Sequence, residues 1–254
     1  YTNAILKNGG KVIACDISNI SKLTNSAEDY KFCEKNENLI YYSCDITNEN
    51  SVKAMFEKLN TLKFFPNALI NNAARNPSLE KISNSKSSLR FEDFSVEELQ
   101  LDIKVSLIGS FLCSKYLYKN SIEKNIDGIN IINISSDLGI ISPDQRLYSS
   151  NEEITTQNDP VKPISYSICK HGIHGLTKYL ATYDPKKMRS NTLYPGGVYN
   201  NQNSDFLKRI KKRIPLEKMA SKNSYDGAIK FLLSDESSYM TGSQLVIDGG
   251  RTSW

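Results

Sequence analysis

A tyrosine and a lysine one helical turn apart form the pattern with the most chemical content in this sequence. Tyr166 and Lys170 are four positions apart in a segment predicted to be helical, so their side chains share one face of the helix. A free phenol has a pKa of about 10 and is a poor acid or base at neutral pH, whereas a nearby ammonium favours the phenolate. The pair could therefore exchange a proton with a carbonyl or an alcohol. An ordinary surface tyrosine is an equally good interpretation of this motif alone.

The same spacing occurs a second time, at Tyr183 and Lys187. Pro185 lies between these two residues and should end the helix, so they need not share a face. Tyr166 also differs in what precedes it, because a predicted strand upstream ends in Ser135 and Ser136. That strand would deliver a hydroxyl to the rim of a sheet.

Polar or very small residues follow the other predicted strands. Asp16 could accept hydrogen bonds from the 2′- and 3′-hydroxyls of an adenosine ribose and would repel a 2′-phosphate. A cap or turn residue is an alternative of equal weight, and Asp45 has the same ambiguity. Three other strand ends are followed by small or amide residues, at 71–74, 195–197 and 248–250. Such segments let a backbone approach a flat ligand, or they form plain turns.

Short apolar runs alternate with longer helical patterns along the whole chain. Strands are predicted at 11–15, 39–44, 68–71, 129–134, 189–193 and 244–247, and helices at 20–34, 48–62, 95–118, 166–183 and 223–233. This alternation predicts an α/β fold with a doubly wound parallel sheet, in which ligands bind at the carboxyl ends of the strands. No repeat or linker divides the sequence, so a single domain over 1–254 is expected.

Composition excludes several classes of function. The net charge of +4 is a mild excess and predicts no nucleic-acid partner, and the basic run at 208–213 is interpreted as a solvated helix face. Five irregularly spaced cysteines without a CxxC pair predict reduced thiols in a cytoplasmic protein. The longest uncharged stretches are too short to span a bilayer. His171 and His174 lack a matching carboxylate motif, so no metal site is predicted.

Taken together, these segments resemble the short-chain dehydrogenase/reductase family over essentially the whole chain. The motifs that carry the resemblance occur in family order: Asp16, Asp45, Asn71-Asn72-Ala73-Ala74, Asn133-Ile134-Ser135-Ser136, Tyr166 with Lys170, Asn191, Pro195-Gly196-Gly197 and Asp248-Gly249-Gly250. The resemblance implies a Rossmann-type fold, usually assembled as a homo-oligomer, a dimer or a tetramer. It also implies an enzyme that moves a hydride between NAD(P) and a carbon carrying a hydroxyl or carbonyl.

The resemblance also assigns roles to individual residues. It implies that Tyr166 is the proton donor or acceptor, that Lys170 holds the nicotinamide ribose and lowers the tyrosine pKa, and that Ser136 binds the substrate oxygen. The helix asparagine that the family counts as a fourth catalytic residue falls at Ser106, whose hydroxyl has fewer donors. Asp16 would favour NAD over NADP. The implied cofactor contacts are Asp16, Asp45, Ile46, Asn72, Ala73, Tyr166, Lys170, Pro195 and Val198.

One departure from the family concerns the start of the sequence. Residues 1–10 match the end of the helix that normally follows a glycine-rich phosphate loop, so the first strand and that loop are expected to be missing. The helix N-terminus that would bind pyrophosphate is then absent as well. Without the strand, its two neighbours would lie about 9–10 Å apart. We therefore expect these 254 residues by themselves neither to bind cofactor nor to turn over.

A second departure lies between the two catalytic motifs. Ser136 and Tyr166 are 30 positions apart, and the extra segment at about 143–163 is rich in polar side chains. A polar wall predicts a polyhydroxylated or charged substrate, such as a sugar or nucleotide-sugar, although a solvated surface insertion is an equal alternative. Residues 135–139 and 194–198 also resemble a group of bacterial family members described as flagellin-modification oxidoreductases, which are associated with nonulosonic sugars.

Three functions compete for this sequence. The leading one is an NAD-dependent oxidoreductase acting on a small-molecule, sugar-type alcohol or ketone. The second is a nucleotide-sugar epimerase or dehydratase of the extended type, which the spacing from Pro163 to Lys170 allows and the terminal 248–250 motif opposes. The third is a non-catalytic nucleotide-binding scaffold, against which the intact Ser136, Tyr166 and Lys170 count.

Overall fold

The structure, a computed structural model, describes residues 1–18, 37–75, 89–149 and 159–254. The strands in this part are β1 Val12–Asp16, β2 Leu39–Ser43, β3 Ala68–Asn71, β4 Ile129–Ile134, β5 Met188–Pro195 and β6 Gln244–Ile247. The helices are α1 Thr2–Leu6, α2 Glu49–Thr61, α3 Val96–Ile103, α4 Gly109–Glu123, α5 Ile164–Tyr183, α6 Ser204–Lys211 and α7 Asp226–Leu233. The helix predicted for 20–34 lies outside the described residues.

All strand pairs in the described residues are parallel, as the alternation of strands and helices predicts. They form a two-stranded sheet, β1-β2, and a four-stranded sheet in the order β3-β4-β5-β6. No pairing joins β1 to β3 in the described part of the chain. The strands within each sheet run in the same direction, so the residues at their carboxyl ends lie along one edge of that sheet.

The four-stranded sheet is covered on both faces. Every residue of β4 is buried, which is typical of a parallel strand between two layers of helices. Ile129 and Ile131 pack with α2 and α4, whereas Ile132 and Ile134 pack with α7 on the other face. The alternation follows from the two-residue period of a strand, and it fixes the direction of the residues that follow β4.

The helical segment before β4 is less regular than predicted. Ser95 caps it as expected, since its hydroxyl accepts a hydrogen bond from the backbone N–H of Glu98 at 3.1 Å. A π-helical turn, Lys104–Ile108, then separates α3 from α4. The prediction of a long helix from Ser95 is confirmed, but the π-helical turn within it was not predicted, because one wider turn barely changes the apolar periodicity. The helix also continues farther than predicted, to Glu123.

The remaining elements agree with the predictions to within a few residues. Helix α5 begins at Ile164 and ends at Tyr183, before Pro185, so Tyr183 and Lys187 do not share a helix. Most of the basic run lies in the last turn of α6, as its interpretation as a helix face required. None of the helices within the described ranges is long and apolar enough to cross a membrane. The cysteines in those ranges are free thiols, and Cys33 lies outside them.

Candidate active site

The turn that follows β4 brings a serine against helix α5. The Ser135 hydroxyl donates a hydrogen bond to the Lys170 carbonyl at 2.6 Å, across 35 positions of sequence. Gly139 closes this turn, and a Cβ atom there would lie 2.6 Å from the same Lys170 carbonyl and would overlap the Ser135 hydroxyl. Glycine is needed at 139 because any side chain would separate the turn from α5. The close approach places Ser136 beside the helix that carries Tyr166.

A buried ion pair orients the second serine. The Ser136 hydroxyl donates to Asp137 Oδ1 at 2.7 Å, and Asp137 Oδ2 pairs with Arg251 Nη1 at 2.6 Å. Both side chains of this ion pair are more than nine-tenths buried. Because the Ser136 hydrogen is directed at Asp137, the serine oxygen presents its lone pairs to other neighbours. A carboxylate and a guanidinium from the far end of the chain thus hold the serine in place.

The first turn of α5 is anchored from another direction. Ser165, directly before Tyr166, donates a hydrogen bond to the buried carboxylate of Asp102 in α3. The other oxygen of Asp102 pairs with Arg75 Nη1 at 3.0 Å, and Arg75 follows the end of β3. This network connects α5 to α3 and to the end of β3. Contacts on both sides therefore fix the position of the first turn of α5, which carries Tyr166.

Tyr166 lies between two lysines. The Ser136 hydroxyl acts to lower the pKa of its phenol. The Nζ atom of Lys170 lies 5.8 Å from the centre of the phenol ring. Lys162 Nζ lies closer, 3.7 Å from the same ring centre. The serine, the tyrosine and both ammonium groups therefore meet at the carboxyl end of β4, which is where a doubly wound fold places its ligands.

Burial dominates the protonation behaviour of this cluster. Burial raises the pKa of Tyr166, the Ser136 hydroxyl acts to lower it, the charge of Asp137 acts to raise it and that of Arg251 to lower it. Burial lowers the pKa of Lys170 to about 8 and that of Lys162 to about 8. At neutral pH the phenol is therefore protonated and both lysines are mostly charged. The cluster is in the state required to donate a proton with cations nearby.

The Lys170 side chain is fixed by the strand that it faces. Its Nζ donates a hydrogen bond to the Ile134 carbonyl, the last of β4, at 3.0 Å. An ammonium has three N–H donors, so this bond leaves donors that could meet the hydroxyls of a ribose. The position is consistent with the role that the family resemblance implies for Lys170.

Ser106 lies in the π-helical turn and contacts different partners. Its hydroxyl acts to lower the pKa of the Cys169 thiol, which burial raises, while its carbonyl accepts a hydrogen bond from Ser110 at 2.7 Å. Cys169 is adjacent to Lys170 in sequence, so Ser106 acts on a residue of α5, the helix that carries Tyr166 and Lys170. A role for Ser106 in a proton relay stays a prediction.

The two predicted adenosine contacts lie at the end of the two-stranded sheet. Asp16 is half-buried and accepts a hydrogen bond from the backbone N–H of Ser18 at 2.8 Å. Asp45 Oδ1 accepts from the N–H and the hydroxyl of Thr47, at 2.9 and 2.7 Å. These are turns of the kind that the alternative interpretation expected. Ile46 packs against α4, where a Cβ at Gly109 would overlap its side chain.

The other predicted cofactor contacts lie at the ends of β3 and β5. Asn72 and Ala73 are exposed directly after β3, and Pro195 ends β5. Val198 forms an isolated parallel bridge with Ala220. Gly196 follows Pro195, and a Cβ on it would lie 2.9 Å from the Asp248 Cα. The second predicted glycine turn, at 248–250, thus touches the first one.

Three polar residues at this site carry no role in the sequence prediction, namely Lys162, Asp137 and Arg251. Asp137 and Arg251 are 114 positions apart, so nothing in the sequence pairs them. Lys162 precedes Tyr166 by four residues, which is a visible signal. It lies before the start of α5, however, so helical spacing does not predict its contact with Tyr166. His174 contacts Thr192 and Gln244 through its two ring nitrogens, in agreement with a structural role.

The polar segment between the catalytic motifs is only partly described, since 150–158 fall outside the described residues. Gln145 and Tyr148 lie in its first part. Burial raises the pKa of Tyr148 to about 12, and the charges of Arg251, Tyr166 and Asp137 also act on its phenol. The part of the segment around 145–148 therefore borders the Tyr166 cluster, as expected for a wall of a substrate pocket.

Comparisons with known proteins agree over nearly the whole chain. The profile of a family described as enoyl-(acyl carrier protein) reductase matches residues 1–252. The chain is 28% identical to an NADH-dependent L-xylulose reductase of Ambrosiozyma monospora, an alignment covering 98% of this chain and 89% of the relative. It is 30% identical to the post-translational flagellin modification protein A of Campylobacter coli, covering 97% and 90%.

A solved structure shows the same similarity in three dimensions. The crystal structure of a short chain dehydrogenase from Leptospira borgpetersenii, with bound NAD⁺, superposes with a TM-score of 0.81 at 32% sequence identity. The superposition covers 99% of this chain and 86% of the other. Sequence and structure therefore point to one family.

Proposed function

The chain belongs to the short-chain dehydrogenase/reductase family, whose members are oxidoreductases, and on that premise we propose that it transfers a hydride between NAD and a sugar-type alcohol or ketone. The observation that carries this proposal is the meeting of Ser136, Tyr166 and Lys170 at the end of β4. Relatives in the family act on CH–OH groups, and their structures bind NAD or NADP.

In this mechanism the protein binds the reacting oxygen and moves one proton. Tyr166 Oη donates its proton to a carbonyl oxygen during reduction, or accepts one from an alcohol during oxidation. The Ser136 hydroxyl, turned from Asp137 Oδ1 toward the substrate, donates to the same oxygen, and Asp137 stays paired with Arg251. Bound NAD supplies or accepts the hydride. Removal of the proton donor from a reaction of this kind slows it by about 10²- to 10⁴-fold.

The chemistry of the donor and acceptor groups fits NAD at both ends of the proposed site. At the nicotinamide end, Lys170 has N–H donors beyond the one that Ile134 accepts. At the adenosine end, Asp16 and Asp45 place carboxylates after β1 and β2. A carboxylate at Asp16 accepts ribose hydroxyls and repels a 2′-phosphate, so we propose NAD as the preferred cofactor.

Two findings support a sugar-type substrate. The part of the polar segment that borders Tyr166 includes Gln145 and Tyr148, whose amide and phenol can bind hydroxyl groups. Both curated relatives that align with at least 97% of the chain have names that fit this class, one a reductase of a ketose and the other a flagellin modification protein. In its narrower form, the proposal is that the product of this reaction is used in flagellin glycosylation.

The test is a screen for absorbance change with NAD⁺ and NADH on sugars, sugar phosphates and nucleotide-sugars, with L-xylulose as the first compound. The assay uses the purified full-length protein. Net accumulation or consumption of NADH is the expected result. Conversion of a nucleotide-sugar without net NADH change would identify an epimerase and overturn the proposal.

We further propose a homo-oligomer, a dimer or tetramer, in the cytoplasm. Large apolar side chains are exposed on the segment from α3 to α4 and on α5, among them Leu101, Phe111, Ile168 and Tyr179. Exposed apolar faces on two long helices are typical of subunit interfaces. Sedimentation of the purified protein measures the assembly, and a monomer at micromolar concentration would contradict it.

A further inference from the structure

Of the two lysines beside the ring of Tyr166, Lys162 lies closer. Its Nζ lies 3.7 Å from the ring centre, against 5.8 Å for the Nζ of Lys170. An ammonium this close to an aromatic face is well inside the range of a cation–π interaction. Tyr166 therefore has an ammonium on either side, one four residues before it and one four residues after it.

Two hydrogen bonds to the Gln145 side chain fix the backbone of Lys162. Gln145 accepts a hydrogen bond from the Lys162 N–H at 2.8 Å and donates one to the Lys162 carbonyl at 3.2 Å. Pro163 follows in extended conformation and caps α5. The two hydrogen bonds to Gln145 and the extended Pro163 thus direct the Lys162 side chain to Tyr166, although Lys162 lies outside α5.

The charges that face Tyr166 come from four elements. The turn after β4 contributes Asp137, the C-terminal segment Arg251, helix α5 Lys170, and the segment before α5 Lys162. Tyr148 is a fifth titratable neighbour and is neutral at physiological pH. Asp137 and Arg251 form an ion pair with each other, and the charge of Arg251 also acts to lower the pKa of Tyr166. The two ammonium groups lie 3.7 and 5.8 Å from the centre of the phenol ring.

We propose that Lys162 is a positioning residue that stabilises the phenolate of Tyr166 while the substrate is being reduced. This inference rests on the proposed function. The carbonyl carbon receives the hydride of bound NADH, which becomes NAD⁺, and the π electron pair of the C=O bond moves to oxygen. That oxygen takes the proton from Tyr166 Oη and leaves a phenolate in a buried site. The ammonium of Lys162, against the ring face, stabilises this charge.

The charge of Lys162 also sets the pH range in which it acts. Burial lowers its pKa to about 8, Asp137 acts to raise it and Lys170 to lower it. The ammonium is therefore present below pH 8 and lost above it. Arginine at the same position would keep its charge through the whole range, whereas methionine would have none at any pH.

The first experiment compares Lys162→Met and Lys162→Arg with the parent enzyme in kcat/KM for reduction as a function of pH. Lys162→Met is expected to lose about tenfold at pH 7, one pKa unit of stabilisation, and to approach the parent above pH 8. Lys162→Arg is expected to keep most of the activity at pH 7 and to gain relative to the parent above pH 8.

Two results would overturn the proposal. One is a ratio of Lys162→Met to parent that does not change with pH, which indicates a purely structural role. The other is a Lys162→Arg protein that shows no gain above pH 8. Because Lys162→Arg keeps the side-chain stem and the charge, its profile remains informative if Lys162→Met does not fold.

A second experiment requires no substrate. The ionisation of Tyr166 is measured from the ultraviolet absorbance of tyrosinate, as the difference between each Lys162 variant and the same variant with Tyr166→Phe. We expect Tyr166 to ionise about one pH unit lower beside arginine than beside methionine. Equal titrations would contradict the proposal. If the titrations differ but no sugar is reduced, the proposed function fails while the role of Lys162 stands.

Discussion

The two sheets of this protein hold their functional side chains in different ways. At the end of the four-stranded sheet, Ser135 bonds to Lys170 across 35 positions and Asp137 to Arg251 across 114. At the end of the two-stranded sheet, the carboxylate of Asp16 bonds to a backbone N–H only two positions away. The proposed proton-transfer site is thus built by long-range contacts between buried groups, whereas the side proposed to bind adenosine is built by local turns.

This difference has a consequence for mutation. A change in the long-range network should alter the fold and the chemistry together, because each side chain positions another one. A change in a local turn should alter only what the side chain binds. The exception is the proposed reacting group itself, since Tyr166 is proposed to supply the proton and contributes only part of the scaffold. Four substitutions test these statements.

Replacement of Tyr166 by phenylalanine should have the largest effect on rate. We expect kcat to fall by about 10³-fold or more, because the proton donor is lost while the ring still fills its place. NAD affinity, measured by fluorescence titration, should change little. Tyr183→Phe is the matched control, since Tyr183 precedes a lysine at the same spacing but lies at the end of α5. Retained turnover in Tyr166→Phe would remove this residue from its role.

Replacement of Arg251 by methionine should have the largest effect on stability. It leaves the buried carboxylate of Asp137 without its partner, and breaking a buried pair typically costs about 3–5 kcal/mol in the free energy of unfolding. Turnover should fall as well, because Ser136 loses its fixed neighbour. Lys187→Met breaks the pair with the exposed Asp127 and should cost at most about 1 kcal/mol. Equal decreases in the free energy of unfolding of Arg251→Met and Lys187→Met, measured by urea denaturation, would contradict the difference expected between the buried and the exposed pair.

Replacement of Gly139 by alanine should have an intermediate effect. The new Cβ would push the turn away from the Lys170 carbonyl, and overpacking of this kind costs about 1–3 kcal/mol. Both the free energy of unfolding and kcat should decrease. The control is Gly175→Ala in α5, where a Cβ meets no atom within 4 Å and a helix is stabilised by about 1 kcal/mol. A stable, active Gly139→Ala protein would show that the close approach is dispensable.

Replacement of Asp16 by alanine should have the smallest effect and a specific one. The preference for NAD over NADP, as the ratio of the two kcat/KM values, should fall by roughly tenfold, which corresponds to about 1.4 kcal/mol. Thermal unfolding should be nearly unchanged, because among the described residues the carboxylate bonds to the backbone of its own turn. Asp45→Ala serves as the control for removal of a nearby carboxylate. An unchanged ratio in Asp16→Ala would show that this residue does not select the cofactor.

Much of the fold was predictable from local patterns. All strands of the described chain lie within a few residues of the predicted positions, because short apolar runs between helical stretches mark buried parallel strands. The cap at Ser95 was predictable from its residue type and the acidic turn that follows it. The π-helical turn at 104–108 was not, since one extra residue in a turn leaves no distinct pattern of apolar residues.

The candidate site was predictable only in part. Ser136, Tyr166 and Lys170 were identified from strand-end position and helical spacing, and the structure brings them together. Lys162 has the right spacing, but it precedes the helix, so only the hydrogen bonds to Gln145 explain its direction. Their roles in catalysis stay predictions until the variants are measured.

The order of residue types along the chain was sufficient to determine the class of fold, the pair of groups that could transfer a proton and the place where they would lie. These properties depend on spacing within one strand or one helix, which the sequence displays directly. Only the tertiary structure decided which charges face the phenol. Asp137, Arg251 and Lys162 come from separate segments, and no short-range rule relates them. Because electrostatic effects depend on distance and burial, the protonation of the site is a property of the folded chain.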